Sequence, residues 1–202
     1  MSSRIGFAVA GLFVAWLRAE AGPDAVRRVY GQYESDASLF ARTIDLSVDE
    51  IDARFAAFVR GQAETGKTET LFRDATARAR HYGGLGDYEQ AIPALVTALE
   101  LRPADLSTHY SLAVAHMKLD DLDSAEAELM RILEIHREAP NDELALLAWY
   151  RLGELYFKQG ESDKAKKSYE RVFELPDYRG MHGRTHAALD EINRPGASAD
   201  AP

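Results

Sequence analysis

The sequence predicts an all-α fold, a solenoid of three helical hairpins with an N-terminal helical segment before it and a C-terminal capping helix after it. Two observations carry this. Ala91 and Ala125 lie 34 residues apart, and the residues around them recur at the same step. Residues suited to a helix break fall at one fixed place in each copy, between two stretches of helical period. A step of this length is the signature of a stacked-repeat array, and such arrays bind rather than catalyse.

Written in register, the first copy holds Ala79, Tyr82, Gly86, Asp87, Ala91, Leu95, Ala98 and Pro103. The second holds Ala113, His116, Asp120, Asp121, Ala125, Leu129 and Ile132. The third holds Trp149, Leu152, Gly153, Tyr156, Gly160, Ala165, Tyr169 and Val172. Ala165 follows Ala125 by 40 residues, so six residues have entered near Glu138–Glu143, where they lengthen a helix or a loop. Small residues on facing helices (Ala79, Ala113, Gly153 and Ala91, Ala125, Ala165) let the axes approach closely. Gly86, Asp120 and Gly160 sit where the first helix must end in a left-handed residue. Asp87, Asp121 and Glu161 follow, with Asp suited to cap the next helix. Pro103 and Pro176 stop units one and three, and Pro93 removes a hydrogen bond inside the second helix of unit one.

These units resemble tetratricopeptide repeats (TPRs) over residues 72–176, most fully in the third, with Trp149, Leu152, Gly153, Tyr156, Gly160, Ala165 and Tyr169. Unit two departs in having Asp120 for Gly and no terminal proline. The units are placed at 72–105, 106–139 and 146–179 within an array of 72–193, and a capping helix over 184–192 closes it through Ala187, Leu189 and Ile192.

With 202 residues and 46% hydrophobic residues the chain can build one or two cored domains. It carries a formal charge of −9, concentrated from Asp120 to Glu143, which reads as a solvated outer face. A nucleic-acid footprint would be basic and clustered, so no nucleic acid is expected. There is no cysteine, which excludes disulfides and thiolate metal sites without assigning a compartment.

Residues 5–17 form an apolar run of thirteen, too short for a membrane span of about 20 residues. A secretory signal ending near Ala19-Glu20-Ala21 and a buried helix both fit; the buried helix is favoured because Trp16, Arg18 and Glu20 continue it to Gly22. A cytoplasmic location is expected, or a periplasmic one if residues 1–21 act as a signal or the chain is part of an exported parent. Pro23 opens a second helix, 36–43 reads as a short one, and Ser47-Val48-Asp49-Glu50 is a capping box before Ile51, Phe55, Phe58 and Val59. The order apolar helix, Gly22-Pro23 turn and Leu46-Ser-Val-Asp-Glu-Ile-Asp-Ala-Arg-Phe55 resembles the C-terminal helices of gluzincin metallopeptidase-like (peptidase-MA-like) domains. The resemblance covers residues 3–62 and implies the tail of a longer protein or a derivative without its catalytic half. That family's His-Glu-x-x-His motif is absent, since no His precedes His81.

Gly61-Gln-Ala-Glu-Thr-Gly-Lys67-Thr68 matches the phosphate-binding loop pattern, but that loop must follow a buried strand and this one follows an amphipathic helix. Residues 63–71 are therefore read as a linker between the N-terminal segment (1–62) and the array. His182 and His186 have the spacing of two ligands on a helix face, yet no third is evident, and the capping helix is preferred. His81, His109, His116 and His136 read as ordinary helix residues, and 194–202 as a disordered tail. No nucleophile elbow appears, so the chain is expected to be no enzyme and to need no metal or cofactor.

First helices of such units line a concave groove. In this register the groove holds Arg73, Thr76 and Arg80, then Ser107, Tyr110, Val114, Met117 and Lys118, then Leu147, Tyr150, Arg151, Glu154, Phe157 and Lys158. Aromatics beside cations suit a protein or peptide partner with carboxylates. Of the Lys/Asn clamp that TPR proteins use for acidic chaperone tails, only Arg151 has a counterpart.

Overall fold

The computed structural model describes residues 3–31 and 46–194, and among them every regular element is a helix. They fall into two compact units, 1–69 and 70–202. The short helix expected over 36–43 and residues 195–202 lie outside the described residues.

In the first unit, α1 (Ser3–Ala21) ends at Gly22, whose φ of +80° closes the helix, and Pro23 opens α2 (Pro23–Gly31) at the position where its missing N–H costs nothing. Then α3 (Val48–Gly84) starts from the capping box. The Glu50 carboxylate accepts from the Ser47 N–H at 2.8 Å, while the Glu50 N–H donates to Ser47 Oγ at 3.3 Å. Trp16, Leu17, Ala25 and Ile51 form the buried centre, and Phe13 meets Phe55 edge-on at 5.1 Å. Among the described residues no helix is long and apolar enough to cross a membrane.

Residues 63–71, expected as a linker, are helical: α3 runs 37 residues without a break, and the division between the two units, after Glu69, falls within that segment. Gly61 and Gly66 cost about 1 kcal/mol each against Ala, but Ala63, Glu64, Lys67 and Glu69 favour helix and no Pro intervenes. The amides of Gly61–Thr68 are therefore inside a helical ladder and cannot cradle a phosphate.

In the second unit the end of α3 packs on α4 (Tyr88–Leu101) through Ala79 with Leu95 and Phe72 and Ala75 with Ala98, while α5 (Leu106–Lys118) pairs with α6 (Leu122–Glu138) and α7 (Asp142–Lys158) with α8 (Ser162–Val172). Each hairpin turns on one left-handed residue: Gly86 at φ +75°, Asp120 at +64°, Gly160 at +77°. Each turn closes the same way, with the N–H after that residue bonded to the carbonyl of Tyr82, His116 or Tyr156 at 2.8–3.0 Å. Asp87, Asp105, Asp121 and Asn141 cap the helices that follow them, each accepting one backbone N–H; Glu161 makes no side-chain cap.

The six extra residues are helix. Relative to the preceding hairpin, α6 is three residues longer than α4 and α7 four longer than α5, with the connection one residue shorter. Pro93 sits within a continuous, 14-residue α4. The last helix, α9 (Met181–Ile192), starts three residues before the expected 184, after Gly180 at φ +74°. Ala188, Leu189 and Ile192 share one face of it and pack on Tyr169, while Ala187 lies off that face, is exposed and does not serve as a capping contact.

The core follows the small–large logic of the register. Ala79 and Ala113, buried, are matched by Leu95 and Leu129 on the second helices. In unit three Tyr169 takes the leucine position and Gly153 the alanine position. A Cβ on Gly153 would lie 2.4–2.6 Å from three atoms of the Tyr169 ring, so the larger ring forces the smaller partner.

Candidate functional site

The first helices α3, α5 and α7 bring their inward positions onto two hollows that meet at Val114. The hollow over units one and two measures about 630 Å³ and takes in Thr76, Arg80, Ser107, Tyr110 and Val114. The hollow over units two and three measures about 470 Å³ and takes in Val114, Met117, Lys118, Tyr150, Arg151, Glu154, Phe157 and Lys158. Arg73 and Leu147 line neither. Second-helix residues also contribute, and register alone did not mark them: Tyr88, Ala91 and Leu95 in the first hollow, Leu122 and Tyr169 in the second, with Ala188 and Glu191 from α9.

The cations are not equivalent. Arg151 Nε donates to the Tyr110 hydroxyl at 3.2 Å and its Nη1 to Glu154 at 2.7 Å, tying α7 to α5. Burial opposes the Arg151 charge, but these bonds and the Glu154 carboxylate outweigh it and hold the guanidinium above its usual range. Lys158 Nζ bonds Asp120 at the turn of unit two. Of the basic groove expected from Arg73, Arg80, Lys118, Arg151 and Lys158, Arg73 lines neither hollow and two of the other four cations are neutralised, Arg151 by Glu154 and Lys158 by Asp120. Among the described residues Arg80 and Lys118 have no carboxylate within 4.0 Å. Tyr150 lies 5.6 Å from Tyr169, ring centre to ring centre; burial, then Glu154, raise its phenol above the ordinary value.

The histidines have structural partners. His109, expected as an ordinary helix residue, is buried with Nδ1 at 2.6 Å from the Glu128 carboxylate and Nε2 at 2.9 Å from the Pro103 carbonyl. Both neighbours accept, so both ring nitrogens donate and the ring is an imidazolium. It joins the connection before α5 to α6. The cue was faint: its partners lie 6 and 19 residues away. His136 Nδ1 accepts the Asn141 N–H at 2.9 Å and closes the turn into α7. His182 Nε2 faces the carbonyls of Val172 and Leu175 at 3.2 and 3.0 Å, and His182 and His186 both pack on the Phe173 ring. Among the described residues no three His, Cys, Asp or Glu side chains gather as a metal site would require.

Residues 105–176 match the tetratricopeptide repeat family, and residues 82–120 match a second profile described as TPR repeat. A TPR repeat-containing protein of Methanocaldococcus jannaschii is 42% identical over 86 residues, covering 42% of this chain and 23% of that protein. The chain thus spans about a quarter of that relative's length. Over residues 82–176 the hairpins read from the 34-residue step match tetratricopeptide repeats, in an all-α repeat fold. The peptidase-MA-like resemblance of residues 3–62 has no counterpart in these matches.

Proposed function

We propose that residues 70–192 form a non-catalytic scaffold whose groove holds an extended segment of a partner protein. The observation that carries this is the meeting of two hollows at Val114, with aromatic walls and two unneutralised cations, Arg80 and Lys118. An acidic or mixed segment suits those cations. Nucleic acid does not, because the chain carries −9 overall and a phosphate backbone asks for a run of cations rather than two.

Replacing Tyr150 and Arg151 together by alanine removes an aromatic wall and the cation that bridges α5 and α7. Partner affinity is expected to fall about 30-fold or more, the scale of a hot-spot pair, with the helical signal and two-state melting retained. Isothermal titration against the purified partner checks this, and unchanged affinity rejects the groove.

A second reading rests on the pattern Leu46–Phe55: the chain as the recruiting part of a metallopeptidase-like protein. A coding frame joined upstream and carrying His-Glu-x-x-His supports it; a native message starting at Met1 opposes it.

A further inference from the structure

We infer that the hollow over units one and two is an anchor pocket for one bulky apolar side chain of an acidic partner segment. This deepens the groove reading and rests on it. Corresponding positions of the repeat explain why the hollow exists. Unit three places Tyr150, Phe157 and Lys158 on the inner wall; unit one places Thr76, Gly83 and Gly84 at the same register positions. Three large side chains are thereby missing from one end of the groove. A Cβ built on Gly83 or Gly84 meets no atom within 4 Å, so neither glycine is demanded by packing there. Neither has the positive φ that would demand it either. What the glycines leave is a space of about 630 Å³, within the range of ligand pockets.

Its walls define the occupant. Ala79, Ala91, Leu95 and Val114 are apolar and suit a large aromatic or aliphatic group, with the Tyr88 and Tyr110 rings beside them. Arg80, exposed, stands in the wall, and Lys118 stands in the adjoining hollow beyond Val114. With no carboxylate within 4.0 Å of either among the described residues, both charges are open to a ligand. The two cations stand in adjoining hollows that meet at Val114, which fits an internal stretch of extended chain with a bulky apolar residue and a carboxylate two positions away on either side, because alternate side chains of an extended chain share one face. A residue bearing a free chain end would use one cation only.

The probe is a doubly blocked, fluorescein-labelled pentapeptide, Glu-Ser-Trp-Ser-Glu, titrated by anisotropy against the full chain. It is expected to bind, with the forms carrying Gln for both Glu, or Ala for Trp, each at least about tenfold weaker. Gly83→Phe, which restores the bulk found in unit three, is expected to weaken it about tenfold or more, and Arg80→Gln several-fold. Gly83→Phe should melt where the parent does; Gly83→Met is the substitute if it does not. No binding, equal binding of the form with Gln for both Glu, indifference to both Gly83 variants, or tighter binding of a peptide ending in free Trp each overturns the inference. A natural partner that is lost with the Tyr150/Arg151 double variant but kept by Gly83→Phe leaves the groove standing and removes only the anchor pocket.

Discussion

His109→Ala is expected to destabilise the array by about 3 kcal/mol, the largest single effect outside the apolar core. The variant strips a charged partner from Glu128 and a donor from the Pro103 carbonyl in one step. The figure is set at the low end of the range for broken buried pairs because the Glu128 side chain keeps 24% exposure against 8% for His109. The pair also predicts a pH dependence. Burial disfavours the imidazolium and Arg131 adds to that, but the bonds to Glu128 and Pro103 outweigh them and raise the pKa above 6.5. A pKa raised by folding contributes stability that is complete below the unfolded value and is lost as pH climbs through the folded one. The melting temperature should therefore decline as pH rises above about 6.5. Glu128→Gln should flatten that decline, because a neutral His109 can donate from Nε2 to Pro103 and accept at Nδ1 from the amide. Differential scanning calorimetry of parent and Glu128→Gln from pH 5.5 to 9 reads the difference; parallel profiles would refute the imidazolium assignment.

Gly153→Ala should cost about 2 kcal/mol net, although alanine is the residue at the same place in units one and two. Helix propensity favours the change by about 1 kcal/mol, so the steric cost is about 3. The new methyl would overlap the Tyr169 ring, which is 2% exposed and packed on its other side by Tyr150 and α9. The fall in melting temperature is about 6 °C. Tyr169→Leu in the Gly153→Ala background recreates the Ala–Leu pair of unit two and should recover stability, so the double variant melts above Gly153→Ala alone. A double variant that melts lower, or an additive cycle, would show that ring and glycine are not coupled.

Local rules made much of the fold legible. The 34-residue step fixed the hairpins, the turn residues fixed where they reverse, and Ser47 and Glu50 formed the capping box their spacing implies. Asp120 at φ +64° shows that the position, and not glycine itself, defines the turn. Errors arose where one local signal was given too much weight or a partner lay far off. Gly61, Gly66 and the phosphate-loop string suggest a linker over 63–71, yet two interior glycines do not interrupt α3, and those residues are helix. In the last helix the 100° step between Ala187 and Ala188 places Ala188 with Leu189 and Ile192 and leaves Ala187 exposed, a distinction a single turn of sequence marks weakly. At the candidate site the register indicated inner-wall positions but not their pairing. The Arg151–Glu154 contact spans three residues and could be anticipated; Lys158–Asp120 spans 38 and could not. The large hollow arose from absent side chains at Thr76, Gly83 and Gly84, which a list of present aromatics and cations does not reveal.

The most direct test places a photo-crosslinking benzoylphenylalanine at Phe157, which lines the second hollow and keeps its ring in the exchange, and, separately, at Met130, which is 39% exposed on a second helix and lines neither hollow. Irradiated in the native cell, the Phe157 variant should yield one discrete adduct mapping to a single stretch of a partner protein, and the Met130 variant none. An adduct confined to Met130, with Phe157 silent, would contradict the concave groove as the gripping surface.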